Sequence, residues 1–345
     1  MVTIKQIAQE VGISPSTVSI VLSGKAAERK ISAETQQRIL EAAARLGYQP
    51  NIAARSLRGG GSAGELLIAM FWAQDFRAAM MVRFWDGLRA EIERSGRRVR
   101  LAIYPYVNDR LHEAEALTSA ANCHAAILCN ASYADLQFLE DTRPPMPVVL
   151  YNRLCRGYSS VNVDDLKMGA LAARAFVDQG CKSAAVLTSR PMFEGMEDRV
   201  HGFRLESVHH GLRVLPGRYC ENSIRGGYEA VTHRLRREWA AQRPDAVFCG
   251  SSTIAHGAIR AFSEAGITGA QMPRLVAVGN GAEDMDAFSI PSLSVVQLPM
   301  EQMAGACFRL ALDQLDGRLA APENRMLEVE YIPRESCGPL AGGAG

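Results

Sequence analysis

A few residues in this 345-residue chain have types and spacings that could do chemistry. Arg199 carries a guanidinium, whose planar fork of N–H donors clamps carboxylates, phosphates or oxygen-rich rings. Glu197 and Asp198 beside it offer the plainer alternative of a surface ion pair. Cys249-Gly250-Ser251-Ser252 holds candidate nucleophiles but no base at motif spacing, and there is no G-x-S-x-G, H-E-x-x-H or P-loop, so no enzyme is expected. His209 and His210 are adjacent and would face different directions on a helix, which suits a helix end better than a metal site. The eight cysteines include no C-x-x-C pair, which points to buried thiols in a reducing cytosol rather than disulfides or zinc. No metal and no cofactor is expected. Gly59, Gly61 and Gly64 satisfy G-x-G-x-x-G, yet they precede the apolar run Leu66 to Trp72 instead of following a strand and opening a helix. They read as a linker.

Charge shows what this linker separates. The whole chain is nearly neutral, +1 from 38 Lys+Arg against 37 Asp+Glu, which taken alone argues against nucleic-acid binding along its length. Cut near residue 60, it becomes a head with eight cations against four anions, net +4, and a body with 30 against 33, net −3. With 48% hydrophobic and 22% charged residues the chain can bury sizeable cores, which excludes disorder and small stapled scaffolds. At about 150 residues per domain its length predicts two to three of them. The opening MVTIKQIAQE lacks the apolar core of an export signal, and no run approaches the roughly 18 to 20 apolar residues of a membrane span. The expected compartment is the cytoplasm, with no membrane partner.

The elements that must position these residues follow from periodicity. In the head, Thr3 can cap a helix with Ile4, Ile7, Ala8 and Val11 on one face, broken by Gly12. Ser14 and Pro15 then start a second helix with Val18, Val21 and Leu22 as its buried stripe. A third is predicted from Ser32 through Ile39, Ala42, Ala43 and Leu46 to Gly47. Two short helices joined by a tight Gly-containing turn make a helix-turn-helix whose second helix enters a DNA major groove, although an ordinary three-helix bundle fits the pattern equally well. In the body, strands are predicted at Leu66 to Trp72, Val99 to Tyr104, Ala125 to Asn130 and Val148 to Asn152, then at Ala184 to Thr188, Ala246 to Gly250, Leu275 to Gly279 and Leu293 to Leu298. Helical segments such as Met80 to Ser95 and Leu166 to Gln179 lie between them. Two successive βα series imply two doubly wound parallel lobes, with a ligand cleft outside the carboxyl ends of the strands.

The stretch TIKQIAQEVGISPSTVSIVLSG, followed by LGYQPNIAARSLR, resembles the lactose-repressor (LacI/GalR) family of bacterial transcription regulators, and family-like features continue to about residue 335. The resemblance implies an all-α helix-turn-helix head on an α/β body similar to periplasmic sugar-binding proteins. It implies a head over residues 1–49, a hinge helix and linker over 50–62, and an effector-sensing and dimerisation body over 63–338. Lobe 1 would comprise about 63–160 and 294–320, and lobe 2 about 161–293 and 321–338. The chain would return to lobe 1 near Pro291 to Gln297, and Leu327 to Ile332 would finish as a strand in lobe 2.

Carried over by position, the family's base-reading sites fall on Pro15, Ser16 and Ile20. Ile20 departs from the arginine or histidine often found there, and can pack on a thymine methyl but not form a bidentate bond to guanine. Thr3, Lys5, Thr17, Ser19, Arg55 and Arg58 suit phosphate contact and register, or are simply solvated. Asn51, Ala54 and Leu57 would belong to a hinge helix that folds on DNA, with Leu57 as a minor-groove wedge whose unstacking cost, a few kcal/mol, other contacts must offset. Specificity then rests partly on DNA deformability. For the effector the resemblance points to Asn152, Arg199, Ser252, Asn280 and Gln297. Trp72, Asp75 and Phe76 could stack on or bond a sugar ring, or Trp72 and Phe76 could be core.

Two departures bear on the effector. Ser251-Ser252 stands where many relatives carry Asn-Asp, and Asn280-Gly281-Ala282 where they carry Phe-Asp-Asp. A carboxylate that would accept bonds from vicinal hydroxyls is missing, which weakens a plain neutral-sugar assignment; the hydroxyl and amide of Ser252 and Asn280 can still bind a sugar, and with less negative charge to compete for Arg199 an acidic or phosphorylated ligand is the other reading. The expectation is a homodimeric repressor on a roughly palindromic operator, answering to a carbohydrate-related effector. The alternatives are a regulator with a vestigial cleft that answers to a protein partner, and a solute-binding protein for uptake.

Overall fold

The computed structural model describes residues 3–22, 26, 29, 31–46, 65–75, 77, 80–118, 123–240 and 242–340. The expected hinge residues Asn51, Ala54, Arg55, Leu57 and Arg58, the glycine seam, and Phe76 lie outside the described residues.

Among the described residues the head has three helices: α1 (Ile4–Val11), α2 (Pro15–Leu22) and α3 (Ala33–Arg45). Each starts where a side-chain oxygen satisfies a free amide of its first turn. Thr3 and Gln6 close a capping box on α1, Ser14 Oγ accepts from Thr17 N at 3.1 Å, and Ser32 Oγ accepts from Thr35 N at 3.3 Å. Gly12 ends α1 at φ 71°, a left-handed conformation that a side chain disfavours, and α2 begins three residues later. Ile7, Val18 and Ile39, one from each helix, are fully buried against one another's helices in a small core with Ala8, Val21, Ala42 and Ala43.

Among the described residues the body has thirteen strands. The first five are β1 (Glu65–Ala73), β2 (Arg98–Tyr106), β3 (Ala125–Cys129), β4 (Val148–Tyr151) and β5 (Ser159–Val163). Next come β6 (Ser183–Thr188), β7 (Arg213–Val214), β8 (Arg218–Tyr219), β9 (Ala246–Cys249) and β10 (Arg274–Gly279). The last are β11 (Ser294–Gln297), β12 (Asn324–Leu327) and β13 (Glu330–Ile332). Two sheets result, in the orders β12-β5-β4-β3-β1-β2 and β13-β11-β10-β9-β6-β7, with β8 also pairing β6. Every pairing is parallel except β11 with β13. Helices cover the sheets, so β3, β4, β6 and β9 are buried at every residue and read in sequence as unbroken apolar runs.

The covering helices are α4 (Met81–Ser95), α5 (Glu115–Thr118), α6 (Tyr133–Thr142), α7 (Asp165–Asp178) and α8 (Glu194–His209). They continue with α9 (Ile224–Arg237), α10 (Ser252–Glu264), α11 (Glu283–Phe288) and α12 (Met300–Leu315). His209 and His210 fall at the end of α8, where His210 meets Glu206 at 3.2 Å. No group of side chains suited to a metal ion occurs among the described residues.

The expected lobe boundaries need correction. Residues 294–297 were assigned to lobe 1, but β11 lies in the second sheet, paired with β10 on one side and β13 on the other. The chain returns to the first lobe only at Leu298–Pro299, after which α12 packs on α4, β3, β4 and β5. Residues 161–163, given to lobe 2, belong to β5 in the first sheet, and β12, also given to lobe 2, pairs β5 there. Apolar periodicity finds strands but does not say which sheet a short one joins; hydrogen-bond register decides that.

Helices α7 and α8 cross with their backbones almost touching. A Cβ on Gly169 would lie 1.9 Å from the Arg199 carbonyl oxygen, and one on Gly202 would lie 2.0 Å from that of Leu166. Because backbone rather than a movable side chain is in the way, Gly169→Ala is expected to destabilise the protein by at least about 3 kcal/mol, the upper end of overpacking. Urea unfolding followed by circular dichroism would read this as a lower midpoint. All eight cysteines are free, and burial raises the Cys123 and Cys181 thiols to about 11 and the Cys337 thiol to about 12.

Candidate nucleic-acid interface and ligand cleft

The apolar stripe of α2 turns inward, which leaves Pro15 and Ser16 exposed and Thr17, Ser19 and Ile20 half-buried. The exposed start of this helix is the part that can meet base edges. Two of the expected contact residues are already engaged. Thr3 Oγ1 caps α1, and Thr17 Oγ1 lies 2.8 Å from Ser14 Oγ. Lys5, on the first turn of α1, is exposed. The fork between α1 and α3 is tied by Arg38, which donates to the Val11 carbonyl at 3.1 Å, and by an exposed Arg45–Glu10 pair at 2.7 Å.

In each lobe the strand order reverses beside the first strand of its series, between β1 and β3 and between β6 and β9. Such points open a crevice at the carboxyl ends of the strands. There the two lobes face one another across a cavity of about 40 Å³. The first lobe contributes Arg77, Asn130, Tyr151, Asn152 and Arg153, and the second Phe193, Arg199, Asn222, Gly250 and Asn280. A cavity of this size is too small for a ring-sized ligand in this arrangement of the lobes.

The closure has identifiable contacts. The Arg153 guanidinium of the first lobe lies 3.5 Å from the centroid of the Phe193 ring in the second. Behind it, Arg83 of α4 pairs with Glu301 and donates to the Gly279 and Gly281 carbonyls at 3.4 Å. Outside the Arg153–Phe193 stack a wider mouth of about 300 Å³ opens between Tyr133, Asp164, Glu194 and Asp198.

The three cleft arginines are held differently. Arg77 pairs with Asp75 and also meets Asn108 Oδ1 at 2.5 Å. Arg199 is 7% exposed and pairs with Asp165 Oδ1 at 2.7 Å, so its acid partner comes from α7 and not from its neighbours Glu197 and Asp198. Burial raises the Asp165 carboxyl above its ordinary range, against the pull of Arg199. Arg153 is 5% exposed and has no carboxylate partner; it donates to the Ala131 and Asn152 carbonyls, and Nη2 has no partner. Burial first, then repulsion from Arg77, lowers its pKa to about 9.

Of the other expected effector residues, Asn152 and Asn280 line the cavity. Asp75 holds Arg77 from behind. Ser252 is turned away, with its hydroxyl donating to Asp286 at 2.9 Å. Gln297, with its amide oxygen turned to accept, takes two bonds from Arg83 at 2.8 Å and serves the lobe junction. Trp72 is 3% exposed and packs edge-on against Phe84 in the first-lobe core. Arg77, Asn130, Arg153, Phe193 and Asn222 have no effector role in the reading of the sequence, although Asn152-Arg153 matches the family there. One signal was available for two of the lining residues: Asn130 and Asn152 follow adjacent strands and adopt φ 68° and 50°, a left-handed geometry that asparagine tolerates and that gathers at functional sites.

Comparison with known proteins agrees with this architecture. Residues 3–51 match the family described as bacterial regulatory proteins, lacI family, and residues 173–337 match a periplasmic binding protein-like domain. The chain is 25% identical to the HTH-type transcriptional repressor MelR of Bacillus subtilis (strain 168), covering 99% of each protein. A LacI family transcription regulator from Clostridium acetobutylicum has a crystal structure that superposes with a TM-score of 0.74 at 31% identity, covering 78% of this chain and 99% of that one. The lac repressor dimer bound to operator and an anti-inducer shares the fold, with a TM-score of 0.68 at 20% identity over 98% of this chain and 99% of that one. No helix among the described residues is long and apolar enough to cross a membrane. By its head, its two-lobed body and its full-length relatives, the chain belongs to the lacI family of DNA-binding transcription regulators.

Proposed function

We propose that this regulator is a cytoplasmic repressor that binds a roughly palindromic operator as a homodimer and is controlled by a small carbohydrate-type or sugar-acid effector in the interlobe cleft. The observation that carries the effector reading is the cleft itself, where Asn130, Asn152 and Arg153 of one lobe meet Arg199, Asn222 and Asn280 of the other. A ligand touching both lobes binds the closed form better than the open one, and that difference is all it can use to shift the head's affinity for DNA.

The dimer reading draws on the lac repressor, which binds its operator as a dimer, and on exposed apolar side chains in the second lobe. Phe288 and Ile290 are 82% and 90% exposed, with Met285 beside them on α11 at 50%. Contiguous apolar surface of this kind marks association sites. Pro15, Ser16 and Ile20 are proposed to read bases, Lys5, Ser19, Arg55 and Arg58 to hold phosphates, and Asn51, Ala54 and Leu57 to form the minor-groove hinge.

Thermal unfolding of the full chain against sugars, sugar acids and sugar phosphates tests the effector reading. A ligand at 100 times its dissociation constant adds about 2.7 kcal/mol. The shift is expected to disappear in Arg199→Ala, because the guanidinium is lost and Asp165 is left as an unpaired buried carboxylate. A shift that survives this substitution would move the ligand out of the cleft, and no shift from any compound would favour a vestigial cleft.

A further inference from the structure

The cleft's unused hydrogen-bonding groups have a common sign. Among its lining residues three buried polar atoms have no partner: Asn130 Nδ2, Tyr151 Oη and Arg153 Nη2. Two are pure donors and the third is a hydroxyl that can donate. Apart from the Tyr151 hydroxyl, which can also accept, no buried side-chain acceptor among the described lining residues is left without a partner. Buried polar groups are nearly always satisfied, so a cluster of orphan donors defines the missing partner as a group of acceptors.

Charge sharpens this. The charged residues that line the cavity are Arg77, Arg153 and Arg199. Asp75 neutralises the first and Asp165 the third. Asp135 lies farther off and is consumed at the start of α6, where it accepts from Ser132 N at 3.0 Å and Leu111 N at 3.1 Å. One guanidinium, Arg153, has no carboxylate bonded to it and feels Asp165 only at a distance, behind that residue's bond to Arg199. A buried cation without a counter-ion is costly, and an anionic ligand would relieve that cost.

Resting on the cleft as the effector site, we propose that the effector is a monocarboxylate, a sugar acid or related polyhydroxy acid, whose carboxylate binds Arg153 Nη2 and whose hydroxyls meet Asn130 and Tyr151. One uncompensated positive charge matches a carboxylate. A phosphate monoester, near −2 at neutral pH, would exceed it. The amides Asn152 and Asn280 at the cavity wall add no negative charge to repel such a ligand. The same guanidinium, with its pKa lowered to about 9, is still charged at neutral pH.

The test is thermal unfolding of the full chain at fixed ionic strength with gluconate, glucuronate and galacturonate, alongside glucose, galactose and glucose 6-phosphate. At least one carboxylate is expected to raise the midpoint while its neutral counterpart does not. Arg153→Gln is expected to weaken that carboxylate at least about tenfold, the scale of a charge-assisted hydrogen bond. A neutral sugar or the phosphate stabilising as well as the acids, lost in Arg199→Ala but kept in Arg153→Gln, would overturn the acid and leave the cleft reading intact. No shift from any of the six compounds would overturn both.

Discussion

Removal of residues 1–60 is expected to abolish specific operator binding while the two lobes stay folded. The head has its own core around Ile7, Val18 and Ile39, and the lobes have theirs. The head also carries the chain's net positive charge, +4 against −3 for the remainder. Specific complexes exceed non-specific ones by at least about 10³ in affinity, and both terms go with the head. An operator selected from random DNA by the full chain, then titrated with the truncated and parent proteins at one salt concentration, measures this. Retention of selective binding by the truncated chain would refute the assignment of DNA recognition to the head.

The second large effect is expected from Phe288→Glu combined with Ile290→Glu. Both side chains are almost fully exposed and nothing in the protomer packs on them, so stability of the single chain changes by less than about 0.5 kcal/mol. If this surface joins two protomers, two buried carboxylates facing their symmetry mates split the dimer. A lone head then meets one half-site, and the loss of the linked second contact lowers operator affinity by about 10² or more. Sedimentation and operator titration on the same samples test it. A variant that remains dimeric and binds DNA normally would exclude this face.

Much of this architecture was legible before any coordinates. Thr3, Ser14 and Ser32 mark three helix starts because capping is local chemistry, and all three cap as expected. All eight predicted body strands form; most stand out as apolar runs because they are buried on both faces, whereas β2 is half-exposed and alternates. What the sequence hid depends on register and on three-dimensional partners. β12 and β13 are short and half-exposed, and which sheet each joins was decided by pairing with β5 and β11. Arg199 was identified, but its partner Asp165 lies 34 positions away on a helix that only the fold brings alongside. Arg153 stands in the Asn152-Arg153 match to the family, but its lack of a bonded carboxylate is recorded by no linear pattern.

The glycine contact between α7 and α8 also bears on how this cleft can evolve. Gly169 faces the Arg199 carbonyl, and Gly202 faces that of Leu166, one residue after Asp165. The helices bearing the Arg199–Asp165 pair are therefore fixed in register, and a change at either glycine would displace the pair before it changed any ligand contact. The opposite wall is restrained differently. Asn130 and Asn152, at the ends of β3 and β4, hold left-handed backbone that few side chains other than asparagine or glycine tolerate, whereas Arg153 can be exchanged without moving a helix. New ligand preferences in descendants of this chain should accordingly arise by substitution in the first lobe, while the second lobe keeps an inherited arginine–aspartate anchor.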